Sequence, residues 1–159
     1  MSLPSLAAIP SLLLPLASRS QQSWRAAVAQ LAGEQELDDW SPQRWAAFDR
    51  VSAASDFFIE QSLRDPLMLL ELVRAGELDR SFKPGELCGQ IAAVVATATT
   101  DDELGRVLRR QRTRQQIRII WRDLNRQADL IETCRDLSDM ADASIDQAYR
   151  WLYERHCQQ

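Results

Sequence analysis

Lysine and histidine are nearly missing from this chain: 18 of its 19 basic residues are arginine, Lys83 being the exception, and His156 is the only histidine. A Ser-His-Asp or Cys-His catalytic unit would have to be built from His156 alone. That residue stands beside Cys157 at a terminus where helices fray, and it reads as a surface neighbour. Cysteine is scarce as well. Cys88, Cys134 and Cys157 are odd in number, far apart and without a C-x-x-C spacing, which argues against a disulfide framework or zinc knuckle and points to a reducing, cytoplasmic setting. There is no glycine-rich phosphate loop, and no alternating strand pattern recurs. No apolar run approaches the ~20 residues that span a bilayer. The opening MSLPSLAAIPSLLLPLASRS has a short apolar stretch, but no basic segment precedes it and Pro10 and Pro15 interrupt it, so it is not expected to be a secretion signal. Asp38-Asp39 and Asp101-Asp102 are adjacent pairs at helix starts, where carboxylates serve caps and the helix dipole; neither is expected to hold metal.

Positive charge in excess is also lacking. The net charge is -4 and the sequence pI about 5.0, so any basic patch must be local. With 45% hydrophobic residues in 159, the chain can bury one sizeable core.

Apolar residues return at helical spacing through most of the chain, which predicts an all-α, multi-helix bundle. Residues 1–19 are expected to be poorly structured, with a helical domain over 20–159 divisible into lobes 20–80 and 86–159. Trp24, Ala27, Val28 and Leu31 form the first stripe, with Ser20 or Ser23 as cap and Gly33 as stop. Ser41-Pro42 opens the next helix, with Trp45, Phe48 and Val51 inward. Ser55 caps a segment carrying Phe57 and Phe58, and Asp65-Pro66 repeats the cap-and-proline signal before a helix that Gly76 ends. After the turn Lys83-Pro84-Gly85, one face carries Leu87, Ile91, Val94, Val95 and Ala98. Thr100 followed by Glu103 is a capping box that starts a long helix near Asp101. The last helix, from about Leu130 to His156, has an apolar face of Cys134, Leu137, Ala141, Ile145, Ala148 and Leu152, with Met140 and Trp151 at its edge. Glu132, Asp136, Asp139, Asp142 and Asp146 form an acidic face opposite.

The helix from Asp101 carries LRRQRTRQQIRIIWRD. At ~100° per residue, Leu104, Val107 and Leu108 lie on one side and Ile117, Ile120, Trp121 and Leu124 well round from them, so its buried face changes along its length. Arg106, Arg109 and Arg110 sit on the side that Ile117 to Leu124 later use for packing and therefore need partners. Arg118, Arg122 and Arg126 line the opposite side and read as a solvated row. Arg106, Arg109, Arg110 and, from the second row, Arg118 are the candidate structural or interface arginines. A nucleic-acid role is disfavoured: an acidic face is near, no DNA- or RNA-binding signature accompanies the arginines, and few exposed aromatics interleave with them. Trp121, Leu124, Leu137, Ile145, Ala148 and Leu152 are the expected core of this half, and truncating Leu137 to alanine is expected to cost about 2–5 kcal/mol.

The order LRRQRTRQQIRIIWRDL, then ADLIETCRDLSDMADASIDQAYRWLY, resembles the helical N-terminal region of the bacterial bifunctional glutamine synthetase adenylyltransferase and adenylyl-removing enzymes. The echoes are Leu108-Arg109-Arg110, Arg118-Ile119 before Trp121, and Leu137-Ser138, Ala141, Ile145, Ala148 and Trp151-Leu152-Tyr153. Ser55-Asp56-Phe57, Pro66 and Leu69 to Leu72 extend the likeness over about the last two-thirds of the chain. The resemblance implies a parent nucleotidyltransferase in nitrogen regulation. Its N-terminal catalytic domain, with a glycine-rich stretch and an Asp-x-Asp pair for magnesium, removes the adenylyl group from a glutamine synthetase tyrosine by phosphorolysis; its C-terminal half attaches the group using ATP. Neither motif occurs here, so no catalytic, cofactor-binding or metal residue carries over. Magnesium and ATP are implied for the parent alone, and this stretch is expected to neither attach AMP nor release ADP. The implied partners are the catalytic domain expected to follow Gln159, and glutamine synthetase itself; no nucleic acid and no membrane are expected. The alternative reading is a free-standing helical interaction module that uses the arginine helix on an acidic partner.

Overall fold

Seven α-helices, with two short 3₁₀ turns and no strand among the described residues, make up the computed structural model, which describes residues 9–157. A 3₁₀ turn over Ser11–Leu13 leads into α1, Leu14–Ala32, with Pro15 in its first turn. Helical structure thus begins inside the segment expected to be poorly structured, because a proline costs nothing where the amide has no intrahelical partner. The expectation for residues 1–8 lies outside the described residues. Ser20 and Ser23 fall within α1 rather than at its cap, and Leu31 points outward. Gly33 ends α1 at φ +99°, a conformation that L side chains rarely adopt.

The next boundaries follow the local chemistry. Ser41 accepts a hydrogen bond from the Arg44 amide at the start of α2, Pro42–Ala54, and Ser55 does the same for the Phe58 amide at the start of α3, Asp56–Arg64. Asp65 precedes α4, Pro66–Arg74, yet its side chain makes no cap; it turns to Arg110 instead. Gly76, at φ +65°, closes α4 in a Schellman arrangement: the Glu77 amide donates to the Leu72 carbonyl and the Gly76 amide to that of Val73. A loop leads to α5, Glu86–Val95, then to α6, Asp101–Leu124, and α7, Leu130–Cys157. At the start of α6, Thr100 accepts from the Glu103 amide, while the Glu103 carboxylate accepts from the amide and hydroxyl of Thr99, one residue earlier than a capping box requires.

Two apolar clusters form. In the first, Trp24, Trp40, Phe48, Phe58 and Trp121 pack in a chain of tilted and edge-on rings, with Val28, Leu69, Leu72, Leu78 and Ile117 around them. The second holds Phe82, Leu87, Ile91, Val95, Leu104, Met140 and Ala143. Helix α6 runs through both: Leu104, Val107 and Leu108 serve the second cluster, and Ile117, Ile120, Trp121 and Leu124 the first. The expected change of buried face is therefore present. Because α6 belongs to both clusters, a division into lobes 20–80 and 86–159 does not match the packing.

Helix α7 departs from expectation. Leu137 is 42% exposed, Ile145 70% and Leu152 38%, whereas Asp136, Met140 and Ala143 are buried. The side that docks is thus partly the acidic one, and the expected core positions Leu137, Ile145 and Leu152 are not core; Ala148 is only half-buried. Trp121 is buried as expected, with Leu124 packed partly against the same cluster. The cause lies across the interface, on α6.

Candidate functional site

Arg114, Arg118 and Arg122 stand at i, i+4 and i+8 and so share one side of α6. That side faces the loop between α4 and α5 and the first turns of α7. Arg118, with no exposed surface, donates from Nε to the Glu77 carbonyl (3.0 Å), from Nη2 to the Arg80 carbonyl (2.8 Å) and from Nη1 to Asp136 Oδ2 (2.6 Å). Its guanidinium lies 3.6 Å from the centre of the Phe82 ring. Arg122 donates from Nη2 to Glu132 Oε1 (2.7 Å) and the Gln127 carbonyl (3.0 Å), and from Nη1 to the Leu78 carbonyl (3.1 Å). Ser81 donates to the other oxygen of Glu132 at 2.8 Å. Arg114 meets Glu77 Oε2 at 2.5 Å, and the remaining Glu77 oxygen accepts from Gln90, which in turn accepts from the buried Gln115.

The reading of Arg118, Arg122 and Arg126 as a solvated row is corrected by this geometry. Arg118 and Arg122 are buried and fully engaged; Arg126 alone is exposed, in a left-handed turn beyond the end of α6. Helical spacing placed the three together, but a guanidinium can be buried wherever backbone carbonyls and carboxylates converge on it, and those come from residues far away in sequence. The arginines draw in Asp136 and Glu132, and this turns the polar side of α7 inward. Burial pulls the Arg118 pKa below the ordinary arginine value, with Asp136 opposing the shift. For Glu132 burial acts upward, but hydrogen bonds from Ser81 and Arg122 outweigh it and hold the carboxyl below the ordinary range. The sequence places Glu132 and Asp136 on an acidic face but does not pair them, or Glu77, with these arginines. The one available signal was their spacing: Glu132 and Asp136 are four apart, as are Arg118 and Arg122.

The other arginines of α6 are placed differently. Arg106, Arg109 and Arg112 are exposed. Arg110 reaches Asp65 Oδ2 (3.2 Å) and both oxygens of Glu71 (3.0 Å), tying α6 to α4. Arg109 and Arg112 face α3 across a groove. The C-terminal part of α7 is held by Trp151, whose Nε1 donates to the Ala98 carbonyl at 3.2 Å, while Arg155 and His156 lie near Asp101. Among the described residues no three His, Cys, Asp or Glu side chains converge, and no helix is long and apolar enough to cross a membrane.

These features define a class: an all-helical module whose buried charges are matched internally, with apolar side chains exposed along α7 and arginines lining a groove beside α6. The chain belongs to the glutamate-ammonia ligase adenylyltransferase family, whose profile matches residues 45–159. It is similar over its whole length to the bifunctional glutamine synthetase adenylyltransferase/adenylyl-removing enzymes of Pseudomonas syringae pv. tomato (65% identical) and Pseudomonas putida (56%), covering 16% of each. The enzyme of that name from Thioalkalivibrio sulfidiphilus is 39% identical over 94% of the chain and 15% of its own length. The chain thus spans about a sixth of the length of these relatives. No solved structure matches it significantly.

Proposed function

We propose that this chain is a non-catalytic helical module of an enzyme that regulates glutamine synthetase by attaching and removing an adenylyl group, and that it packs against the nucleotidyltransferase domain that removes the group. The observation that carries this reading is the uncovered face of α7. Leu130, Ile131, Leu137, Ile145, Tyr149, Leu152 and Tyr153 are all exposed along one helix whose polar side is already committed to Arg118 and Arg122. Contiguous apolar surface of this kind marks an interface. In the full enzyme the remaining five-sixths of the chain supplies the covering surface, and magnesium and ATP are held there by residues of the catalytic domains. The work is cytoplasmic, where glutamine synthetase is modified.

The test uses the P. syringae relative with its own matching segment deleted, mixed with this chain. The chain alone should release no ADP from adenylylated glutamine synthetase with inorganic phosphate; it should bind the truncated relative by sedimentation velocity and raise its ADP release. A double variant, Ile145→Asp with Tyr149→Asp, should do neither. Equal binding by the variant, or ADP release by the chain alone, would sink the proposal.

A further inference from the structure

We infer that the groove between α3 and α6 is a docking site for an acidic helical segment of a protein, one that carries an apolar side chain beside its carboxylates. The groove lies apart from α7, and the inference does not depend on the adenylyl-transfer reading. One wall is the face of α3 that presents Phe57, Gln61 and Arg64 at i, i+4 and i+7. The other is the face of α6 that presents Arg109, Arg112, Thr113 and Gln116 at i, i+3, i+4 and i+7. The buried Met68 of α4 also lines it, Arg110 pairs with Asp65 and Glu71 beside it, and the open groove has a volume of about 560 Å³.

Unpaired positive charge collects along this groove. Among the described residues no carboxylate lies within ion-pair distance of Arg64, Arg109 or Arg112. The chain is not short of acids: Asp and Glu number 23 against 19 basic residues, and exposed ones such as Asp139 and Asp142 stand on α7, away from the groove. Arg114, Arg118 and Arg122 on the same helix each have a carboxylate, so leaving three guanidiniums unpaired along one groove produces a local reversal of the chain's net charge.

The geometry selects the ligand class. Arg109 and Arg112 are separated by about 4.5 Å along the axis of α6, close to the rise between carboxylates one turn apart on a helix laid alongside. Arginine pairs with carboxylates through planar, two-pronged hydrogen bonds. Arg64 on the opposite wall spreads the positive charge across the groove, which suits several anionic groups along a segment better than one phosphate. Phe57, 37% exposed and lining the groove, offers an apolar contact for which an inorganic anion has no use, and which fits the anchor residue of an amphipathic helix. A nucleic acid would gain three uncompensated arginines but meet a chain of net charge -4.

The experiment is fluorescence anisotropy on this chain with three labelled probes: a helical peptide with glutamates one turn apart flanking leucine, its glutamine-for-glutamate counterpart, and a DNA duplex. The glutamate peptide should bind and weaken with added salt, and the glutamine peptide should bind about tenfold more weakly or worse. Arg112→Glu and Arg64→Glu, one from each wall, should each weaken the glutamate peptide by about tenfold or more, while Arg19→Glu, exposed on α1, should leave it unchanged. Circular dichroism confirms that each variant is folded, and two variants on different helices guard against loss of one. Equal binding of both peptides, indifference to both substitutions, no binding of either peptide, or tighter binding of the duplex would each overturn the inference.

Discussion

Replacing Asp136 with alanine tests the account of how α7 is held. The substitution removes the 2.6 Å partner of Arg118 Nη1 and leaves a guanidinium whose side chain has no exposed surface with an uncompensated charge. Breaking one partner of a buried pair costs about 3–5 kcal/mol. Nε and Nη2 keep the Glu77 and Arg80 carbonyls, which places Asp136→Ala near the lower end, about 3 kcal/mol. At a urea slope of ~2 kcal/mol/M this lowers the unfolding midpoint by about 1.5 M. Leu137→Ala, one residue along but 42% exposed, should cost about 1 kcal/mol or less. Urea unfolding followed by the fluorescence of buried Trp24 and Trp121 reads both. A double variant, Arg118→Met with Asp136→Leu, should be less destabilised than the sum of its single changes, because it leaves no buried charge behind. An unchanged midpoint for Asp136→Ala, or a larger loss for Leu137→Ala, would refute the reasoning and return the apolar stripe to the core.

Acid should unfold the module through the carboxylates that arginines hold. Arg80 and the Lys83 amide keep Glu86 at about 2, well below its ordinary 4.5, and Glu132 is also lowered, so their stabilisation is complete above about pH 4.5 and is lost as pH falls toward 2. Glu132→Gln should flatten this acid limb in a pH series of thermal melts; an unaltered limb would remove Glu132 from the account. Gly76→Ala should destabilise by about 1 kcal/mol by forcing a side chain to φ +65°, although nothing lies within 4 Å of the added carbon, and calorimetry checks it. Ile145→Asp with Tyr149→Asp should change the chain's own unfolding free energy in urea by no more than about 0.5 kcal/mol, since both residues are exposed here; a large loss would show that they serve this fold rather than a partner.

Much of the architecture is written locally. Ser41 and Ser55 cap because their hydroxyls meet amides three residues on, Gly76 stops α4 because its backbone takes a left-handed turn, and the 3.6-residue period of the apolar positions sets helix number and order. The family likeness is likewise a property of residue order, as the residues quoted from α6 and α7 show. Even the switch of buried face along α6 is local, since it is a rotation counted residue by residue. What no local rule could supply is the partner of each face. An amphipathic helix such as α7 announces an apolar side and an acidic side, and burying the apolar one is the natural expectation. Two guanidiniums on α6 reverse that choice, because once Arg118 and Arg122 are removed from water they require carboxylates, and only Asp136 and Glu132 come within reach through the packing of α7 on α6. The same arginines that looked solvated by spacing are buried by carbonyls from the α4–α5 loop, some forty residues back in the chain. Periodicity ranks the sides of a helix by polarity; which side is covered depends on the charges and carbonyls that the tertiary fold brings opposite it.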